Sequence, residues 1–445
     1  MNITIAGASG FIGKNLIKNL DTNLSIKALS RTSKISKDKN VTWVEVDLFS
    51  LSSTIAALKD TDIAIYLVHS MMPSSRLFQG NFQDTDLLLA DNFARACHKE
   101  KVKQMIYLGG LIPEAGSFSK HLTSRKEVED VLRYTNIPIT VLRAGMAVGD
   151  GGSSFEILKN LVLNLPFMLL PKWTKNKTQT IYIDDLIAVI IKSINNKMFF
   201  NKTINIVTGE TLTYKNLIEQ TIDHFGKKKI LIPIPFFYIR FSKLWVTIFG
   251  ETDYELVSPL IDSLMCDLPM TSISPMIEDV IKYRSFKEML KMVSTNKIVK
   301  KGSRSKLVDR TVRSIQRLPN PNRLNNETIY KKYISWLPSN FKYFIRINEI
   351  NDLIIFYFFM LKIPLLILKK IQEKENVDRV KFHIIGGILT QTTNTGSLEF
   401  RQVASGKYAL ATVHGFFPSL PWYIYKYTQA PLHKHIMKKF GKTLK

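Results

Sequence analysis

The sequence predicts an α/β protein in two parts. The first is a doubly wound parallel sheet with further elements along one side, and the second is an α+β domain with an antiparallel sheet around a long helix. Three observations carry this expectation. Short apolar strands alternate with helical stretches from Ile3 to Val207, the pattern of a parallel sheet covered on both faces. A glycine-spaced turn, Gly7 to Gly13, joins the first strand to the first helix. Beyond the basic, polar stretch Lys297–Lys306 the pattern changes to consecutive strands separated by polar or glycine turns.

In order, Ile3–Ala6 is a short apolar strand and Phe11–Leu20 carries helical spacing. Ser25–Leu29, Val41–Val46, Ile63–Leu67 and Met105–Leu108 follow as strands, with helices at Ser52–Leu58 and Asp84–His98 between them. Ile139–Leu142 and Ile204–Val207 read as later strands of the same sheet. Between Gly149 and Thr295 the pattern loosens around helices at Phe155–Asn164 and Tyr214–Phe225, expected to line the substrate side of a cleft. The expected organisation is a first domain over 1–295, a basic linker over 296–306 and a second domain over 307–445. In the last, Lys381–Leu389, Gly396–Val403 and Lys407–His414 read as an antiparallel meander and Pro431–Phe440 as a closing helix. Leu353–Leu368 is nearly continuous apolar sequence, yet Lys362 and Pro364 interrupt it, and a spanning helix needs about 20 apolar residues. It reads as a buried helix or strand pair, or as a segment lying on a bilayer.

The 445 residues exceed one ordinary core, and 45% hydrophobic with 22% charged residues is globular composition, which excludes a disordered chain. Cys97 and Cys266 are the two cysteines, too few for a disulfide framework or a cysteine metal site. No HExxH spacing occurs, and His433-Lys434-His435 lies in a basic tail without a neighbouring carboxylate, so no metal is expected. The chain opens on an apolar strand without a basic leader, which leads to the expectation of a cytoplasmic protein, with a place at the periphery of the inner membrane left open. The formal net charge of +25 has competing readings: solvated surface, attraction to an anionic membrane, or nucleic acid. No nucleic-acid-binding motif accompanies the charge, so that partner is not expected.

The turn Gly7-Ala8-Ser9-Gly10-Phe11-Ile12-Gly13 sits where a strand passes into a helix, which is where a phosphate cradle must sit. Gly7 allows the tight turn, Gly10 lets backbone approach a pyrophosphate, and Gly13 permits close helix packing. The pyrophosphate then meets the N–H groups of the helix N-terminus. This is the signature of a dinucleotide-binding Rossmann domain. An NAD site places a carboxylate after the second strand, to bind the ribose 2′-hydroxyl. Ser30-Arg31-Thr32 stands there instead, with Lys34 beyond. A guanidinium and a hydroxyl suit a 2′-phosphate, so NADP(H) is expected ahead of NAD(H). Asp47-Leu48, ending the third strand, are placed to hold the adenine edge, and an N-cap role is open for Asp47. His69 and Ser70 end the fourth strand, facing the middle or nicotinamide half of the cofactor; a buried His69 and a capping Ser70 are the alternatives.

Gly7–Gly13, Asp47-Leu48, Leu142-Arg143-Ala144-Gly145 and Ile181-Tyr182-Ile183-Asp184-Asp185 resemble the extended and atypical short-chain dehydrogenases/reductases. Tyr66-Leu67-Val68-His69-Ser70-Met71, Tyr107-Leu108-Gly109-Gly110-Leu111 and Ser153-Ser154-Phe155-Glu156 are similar to one bacterial branch of NAD(P)H-binding proteins, related to the complex I 39 kDa subunit group. The resemblance continues through Val312–Pro319, Gly396–Arg401, Leu420-Pro421-Trp422 and Thr428-Gln429-Ala430. It implies a C-terminal domain of unknown function with a Bet v 1/START-like fold, a curved sheet around a long helix with an apolar cavity. In that unit His414, Trp422, Tyr423, Tyr425 and Tyr427 form an aromatic group, read as core or as ligand contacts.

The chain departs from the family at the site of catalysis. Short-chain dehydrogenases use Tyr-x-x-x-Lys on one helix, the lysine lowering the tyrosine pKa and binding the nicotinamide ribose. The matching stretch here is His121-Leu122-Thr123-Ser124-Arg125, with Gly109-Gly110 in the neighbourhood of the family's serine. The i, i+4 spacing keeps His121 and Arg125 on one helical face. Arg125 suits the ribose contact, and His121 can exchange a proton near neutral pH; a structural remnant beside the cofactor is the alternative. Arg143 is expected to anchor the substrate-side loop, and Asp184 and Asp185 to cap the following helix. Two functions remain open. One is an NADPH-dependent reductase of a large hydrophobic small molecule such as an isoprenoid, quinone or lipid. The other is an NADP(H)-binding redox sensor or structural or assembly protein without turnover, which the missing Tyr–Lys pair favours.

Overall fold

The computed structural model describes residues 1–36, 38–69, 77–113, 119–234, 243–244, 246–248, 254–268, 271–294, 311–358, 363–371 and 379–445. The expected linker 296–306 and Ser70 lie outside the described residues. The chain divides into two compact units, Met1–Met71 with Leu89–Gly302, and Met72–Leu88 with Ser303–Lys445.

The first unit is built on seven parallel strands: β1 (Asn2–Ala6), β2 (Ser25–Ser30), β3 (Val41–Glu45), β4 (Ile63–Tyr66), β5 (Gln104–Gly110), β6 (Ile139–Ala144) and β7 (Thr203–Ile206). Their spatial order is β7-β6-β5-β4-β1-β2-β3. The order reverses between β1 and β4, and ligands of doubly wound sheets bind at the carboxyl ends of the strands flanking such a reversal. The central strands are buried on both faces: Ile3, Ile5, Ile65 and Ile106 have no exposed surface, and even Thr4 is covered, its hydroxyl 2.6 Å from that of Thr61. That double burial explains why the strands read as short apolar runs instead of alternating patterns.

The helices are α1 (Phe11–Asn19), α2 (Leu51–Leu58), α3 (Phe82–Lys99), α4 (Lys120–Arg133), α5 (Ser153–Asn164), α6 (Ile183–Ser193), α7 (Tyr214–His224), α8 (Tyr254–Ser263) and α9 (Phe286–Lys291). Ser50 caps α2, accepting from the Ser53 N–H, and Ser119 caps α4, accepting from Leu122. The expected cap of α6 by Asp184 or Asp185 is not formed. Its N-cap is Tyr182, and Asp185 is buried in an ion pair with Arg284 at 2.6 Å. Burial nonetheless pushes the Asp185 carboxyl above its ordinary range, with Arg284 acting against that push.

The second unit holds seven antiparallel strands: β8 (Val312–Pro319), β9 (Ile345–Ile350), β10 (Leu353–Phe358), β11 (Pro364–Ile371), β12 (Arg379–Gly386), β13 (Ser397–Val403) and β14 (Tyr408–Phe416). Neighbours follow chain order from β9 to β14, and β8 lies beside β14, with one further short strand beyond it. The apolar run Leu353–Leu368 is therefore the strand pair β10–β11, with Ile355 opposite Ile367. No helix among the described residues is long and apolar enough to cross a membrane. The helices are α10 (Asn326–Asn340), α11 (Trp422–Tyr427) and α12 (Gln429–Lys442). One aromatic cluster fixes α10 and α12 on the sheet. The Tyr333 ring lies 5.6 Å from Phe400 and 5.1 Å from Phe440, Tyr330 lies 5.0 Å from Phe382, and Trp336 lies 5.4 Å from Phe440.

Residues 77–88, within the expected first domain, group with the second unit. The short strand Leu77–Gln79 pairs parallel with β8, and Asp84 accepts from Arg317 at 2.6 Å. A pairing across more than 230 residues leaves no trace in local pattern.

Phe93 on α3 is fully buried with its ring 4.9 Å from Tyr66 on β4. Phe93→Ala is expected to lower unfolding free energy by about 3–5 kcal/mol, read from the urea midpoint. A loss below about 1 kcal/mol would contradict this packing.

Candidate functional site

The turn after β1 is set by contacts that only hydrogen fits. Gly7 has φ +87°, and a Cβ there would lie 2.9 Å from the carbonyl of Leu67, the residue following β4. A Cβ on Gly13 would lie 2.5 Å from the Gly7 oxygen and 2.6 Å from the Ala8 Cα. Gly7 thus lets two strand ends approach, and Gly13 lets α1 press onto the turn. Gly10 differs: its φ of −75° suits any residue, and a Cβ would meet nothing closer than the Gly7 oxygen at 3.2 Å. It is exposed, and no side chain caps α1. This is a cradle that a Cβ would fill, at the N-terminus of a helix, and it fits a pyrophosphate.

Within the same turn Ala8 is buried and Ser9 exposed, while Phe11 and Ile12 are half-buried. The Phe11 ring is seated by a second set of glycines. Cβ atoms built on Gly149 or Gly152 would lie 3.0 Å from that ring, so only hydrogen fits there without displacing it. Sequence reasoning missed this role of the glycines at 149–152, although their clustering was a visible signal.

At the adenosine end, Ser30 is buried and Arg31 exposed. Lys34 stands 4.6 Å over the Trp43 ring, and burial, with Lys14 of α1 nearby, pulls its ammonium below the usual lysine range. Three cations thus attend this end, and of these Lys14 was not singled out by its place in the sequence. Asp47 caps the turn before α2 and not α2 itself: its Oδ1 accepts from the Phe49 N–H at 3.1 Å. Buried Asn92 donates to the carbonyls of Leu48 and Phe49 at 2.7 and 3.0 Å, fixing the loop that carries Leu48.

At the other end the structure joins His69, His121 and Arg125, and adds Ser263 at the end of α8. Arg125 donates from its terminal guanidinium nitrogen to His69 Nδ1 at 2.6 Å. The Nε2 atoms of His69 and His121 lie 3.0 Å apart, and His121 Nδ1 lies 2.7 Å from Ser263 Oγ. Arginine can only donate, so His69 accepts at Nδ1 and carries its proton at Nε2. That proton is donated to His121, whose own proton then sits at Nδ1 and is donated to Ser263. Both imidazoles are neutral in this arrangement, and every donor points from Arg125 toward Ser263. Ser119 donates to the same Ser263 oxygen at 3.4 Å.

Arg125 is 5% exposed and its helix is fixed from below by Tyr107, whose hydroxyl donates to the Arg125 carbonyl at 3.1 Å. Gly109 leaves room for that ring, since a Cβ there would sit 3.0 Å from it. Arg143, expected to anchor the substrate-side loop, reaches α4. It donates twice to one oxygen of buried Glu129 on α4, at 3.1 and 2.7 Å, and Arg133 donates to the other. Among the described residues, no group of three His, Cys, Asp or Glu side chains is arranged to hold a metal.

A parallel sheet with a glycine turn at its reversal point defines the Rossmann-like fold of the short-chain dehydrogenases and sugar epimerases. Residues 7–162 match a family described as NAD(P)H-binding. Auxiliary protein GraX of Staphylococcus aureus is 32% identical over 110 residues, which cover 24% of this chain and 36% of that protein. UDP-glucose 4-epimerase of Vibrio cholerae is 20% identical over 298 residues, 61% of this chain and 88% of that one. The solved structure of a nucleoside-diphosphate-sugar epimerase from Staphylococcus aureus superposes with a TM-score of 0.53 at 16% identity, covering 65% of this chain and all of that chain. At that identity the likeness is one of fold.

Gly10→Ala separates binding from folding. Stability is expected to hold within about 1 kcal/mol, because the backbone there suits alanine. Dinucleotide affinity, measured by titration of nucleotide fluorescence, is expected to fall roughly tenfold or more. Unchanged affinity would place the pyrophosphate elsewhere.

Proposed function

We propose that this protein is an NADP(H)-dependent oxidoreductase of the atypical short-chain dehydrogenase kind, reducing a large hydrophobic acceptor such as an isoprenoid, a quinone or a lipid-like molecule. The observation that carries the reading is the bonded series Arg125–His69–His121–Ser263, of which His121 and Arg125 lie on the helix where the resembled family keeps its Tyr–Lys pair. The preference for the 2′-phosphate is supported by Arg31, Lys34 and Lys14, with no carboxylate in the Ser30-Arg31-Thr32 segment.

When bound, the dinucleotide supplies a hydride to the acceptor carbon. The chain's own residues hold the cofactor and supply the matching proton. The backbone of Gly7–Gly13 receives the pyrophosphate, and Leu48 and Asp47 shape the adenine side. Ser263 Oγ–H is the proton donor, held by His121 Nδ1–H and, through it, by His69 Nε2–H; the proton Ser263 gives up is replaced from solvent, since Arg125 releases none. The Arg125 cation opposes a second positive charge on His69, which keeps the pair neutral and the donors aligned. Hydride transfer to a conjugated acceptor asks less of such an acid than carbonyl reduction does. For the C-terminal unit, a sheet whose first strand pairs with its last, with helices after both, supports the Bet v 1/START-like reading and a hydrophobic ligand.

A second reading, an NADP(H)-binding sensor or assembly protein without turnover, is favoured by one observation: His121 Nε2 is engaged by His69 and so is turned away from an acceptor. NADPH oxidation measured with a short-chain quinone and a conjugated isoprenoid aldehyde decides between them. His121→Ala and Ser263→Ala are each expected to lower kcat about a hundredfold or more with NADPH affinity retained. Tight NADPH binding by the native protein without oxidation by either acceptor would favour the sensor. In the same protein Arg31→Ser is expected to weaken NADPH about tenfold and leave NADH unchanged. Equal loss for both cofactors would refute the assignment of Arg31 to the 2′-phosphate.

A further inference from the structure

We infer that α11 and α12 form a docking surface for an anionic lipid bilayer, a property separate from the oxidoreductase reading and independent of it. Residues 422–445 contain six lysines and neither aspartate nor glutamate. Their apolar residues divide into two sets. Tyr425, Ala430, Ile436, Met437 and Phe440 are buried in the core of the second unit. Tyr423, Tyr427 and Leu432 are 75%, 62% and 54% exposed, and Ile424 is 46% exposed. The two outward tyrosine rings contact each other with centroids 5.2 Å apart, and Lys426 Nζ lies 5.4 Å from the Tyr427 ring. On α12, Lys438, Lys439 and Lys442 are exposed, on the side away from Ile436, Met437 and Phe440.

Large side chains gain by leaving water, and core packing does not account for these four. Phenol rings with aliphatic neighbours suit the headgroup region of a bilayer, where the ring is apolar and the hydroxyl stays wet. Lysines spread over the same helices supply attraction to anionic lipid while their alkyl stems reach past the rings. The occupant is a bilayer more readily than a nucleic acid for two reasons. The six basic side chains are all lysine, which presents point charges and not the paired donors that read phosphate and base edges. Leu432 and Ile424 add aliphatic surface that base stacking does not use.

The test uses the full chain in sedimentation with vesicles of phosphatidylcholine alone, and of phosphatidylcholine mixed equally with phosphatidylglycerol. Binding to the mixed vesicles at low salt, with roughly tenfold or greater preference over the neutral ones, is expected. The triple variant Lys434→Gln, Lys438→Gln, Lys439→Gln is expected to lose about tenfold or more of that binding, and Tyr423→Ser with Tyr427→Ser several-fold. Circular dichroism and the urea unfolding midpoint of each variant confirm that the protein is folded. Should the serine variants not fold, Tyr427→Trp is used, its fluorescence expected to be quenched by brominated lipid in the mixed vesicles. Equal binding to both vesicles, no binding, binding insensitive to these substitutions, or retention by single-stranded nucleic acid in place of vesicles would each overturn the proposal.

Discussion

The site depends on one close approach: the backbone of the turn after β1 lies against the carbonyl of Leu67 after β4, at a distance that tolerates hydrogen alone on Gly7. That contact brings together the two strand ends flanking the reversal of the sheet. The Gly13 contact draws α1 onto the turn, so the helix N-terminus faces the crevice. The chain leaving β4 then carries His69 three residues past Tyr66, into reach of α4.

The hydrogen bonding beyond that frame differs from the Tyr–Lys pair of the resembled family. In the resembled family a lysine acts on a tyrosine one helical turn away. Here the cation acts on a residue of a different element, and the imidazole that replaces the tyrosine is bonded at both nitrogens. The result is a series with a fixed direction instead of a single acid. Its direction is set by arginine, which has no acceptor, and its geometry by two anchors on α4. Those are the Ser119 cap and the Tyr107 hydroxyl on the Arg125 carbonyl. Glu129 on the same helix pairs with both Arg143 and Arg133.

What could be read from the sequence was what local spacing encodes. The seven parallel strands, the glycine turn and the shared helical face of His121 and Arg125 each follow from residues close together in the chain. The apolar Leu353–Leu368 segment stayed open between a buried helix, a strand pair and a segment lying on a bilayer, because a short apolar run has no period to decide it. What could not be read depends on distant partners. Ser263 joins His121 across 142 residues, and Arg284 takes Asp185 across 99, defeating the cap that their local position suggested. The strand Leu77–Gln79 escaped notice because its partner β8 follows more than 230 residues later in the chain. The bonding of His69 to Arg125 was likewise invisible, although both had been singled out separately.

The central claim is that the glycine turn holds a dinucleotide, and the most direct measurement is mass spectrometry of whatever denaturation releases from gently purified protein. The account predicts NADP(H), recovered near one equivalent per chain after saturation with NADPH. Release of no dinucleotide, together with no binding of added NADPH or NADH in a titration, would contradict it.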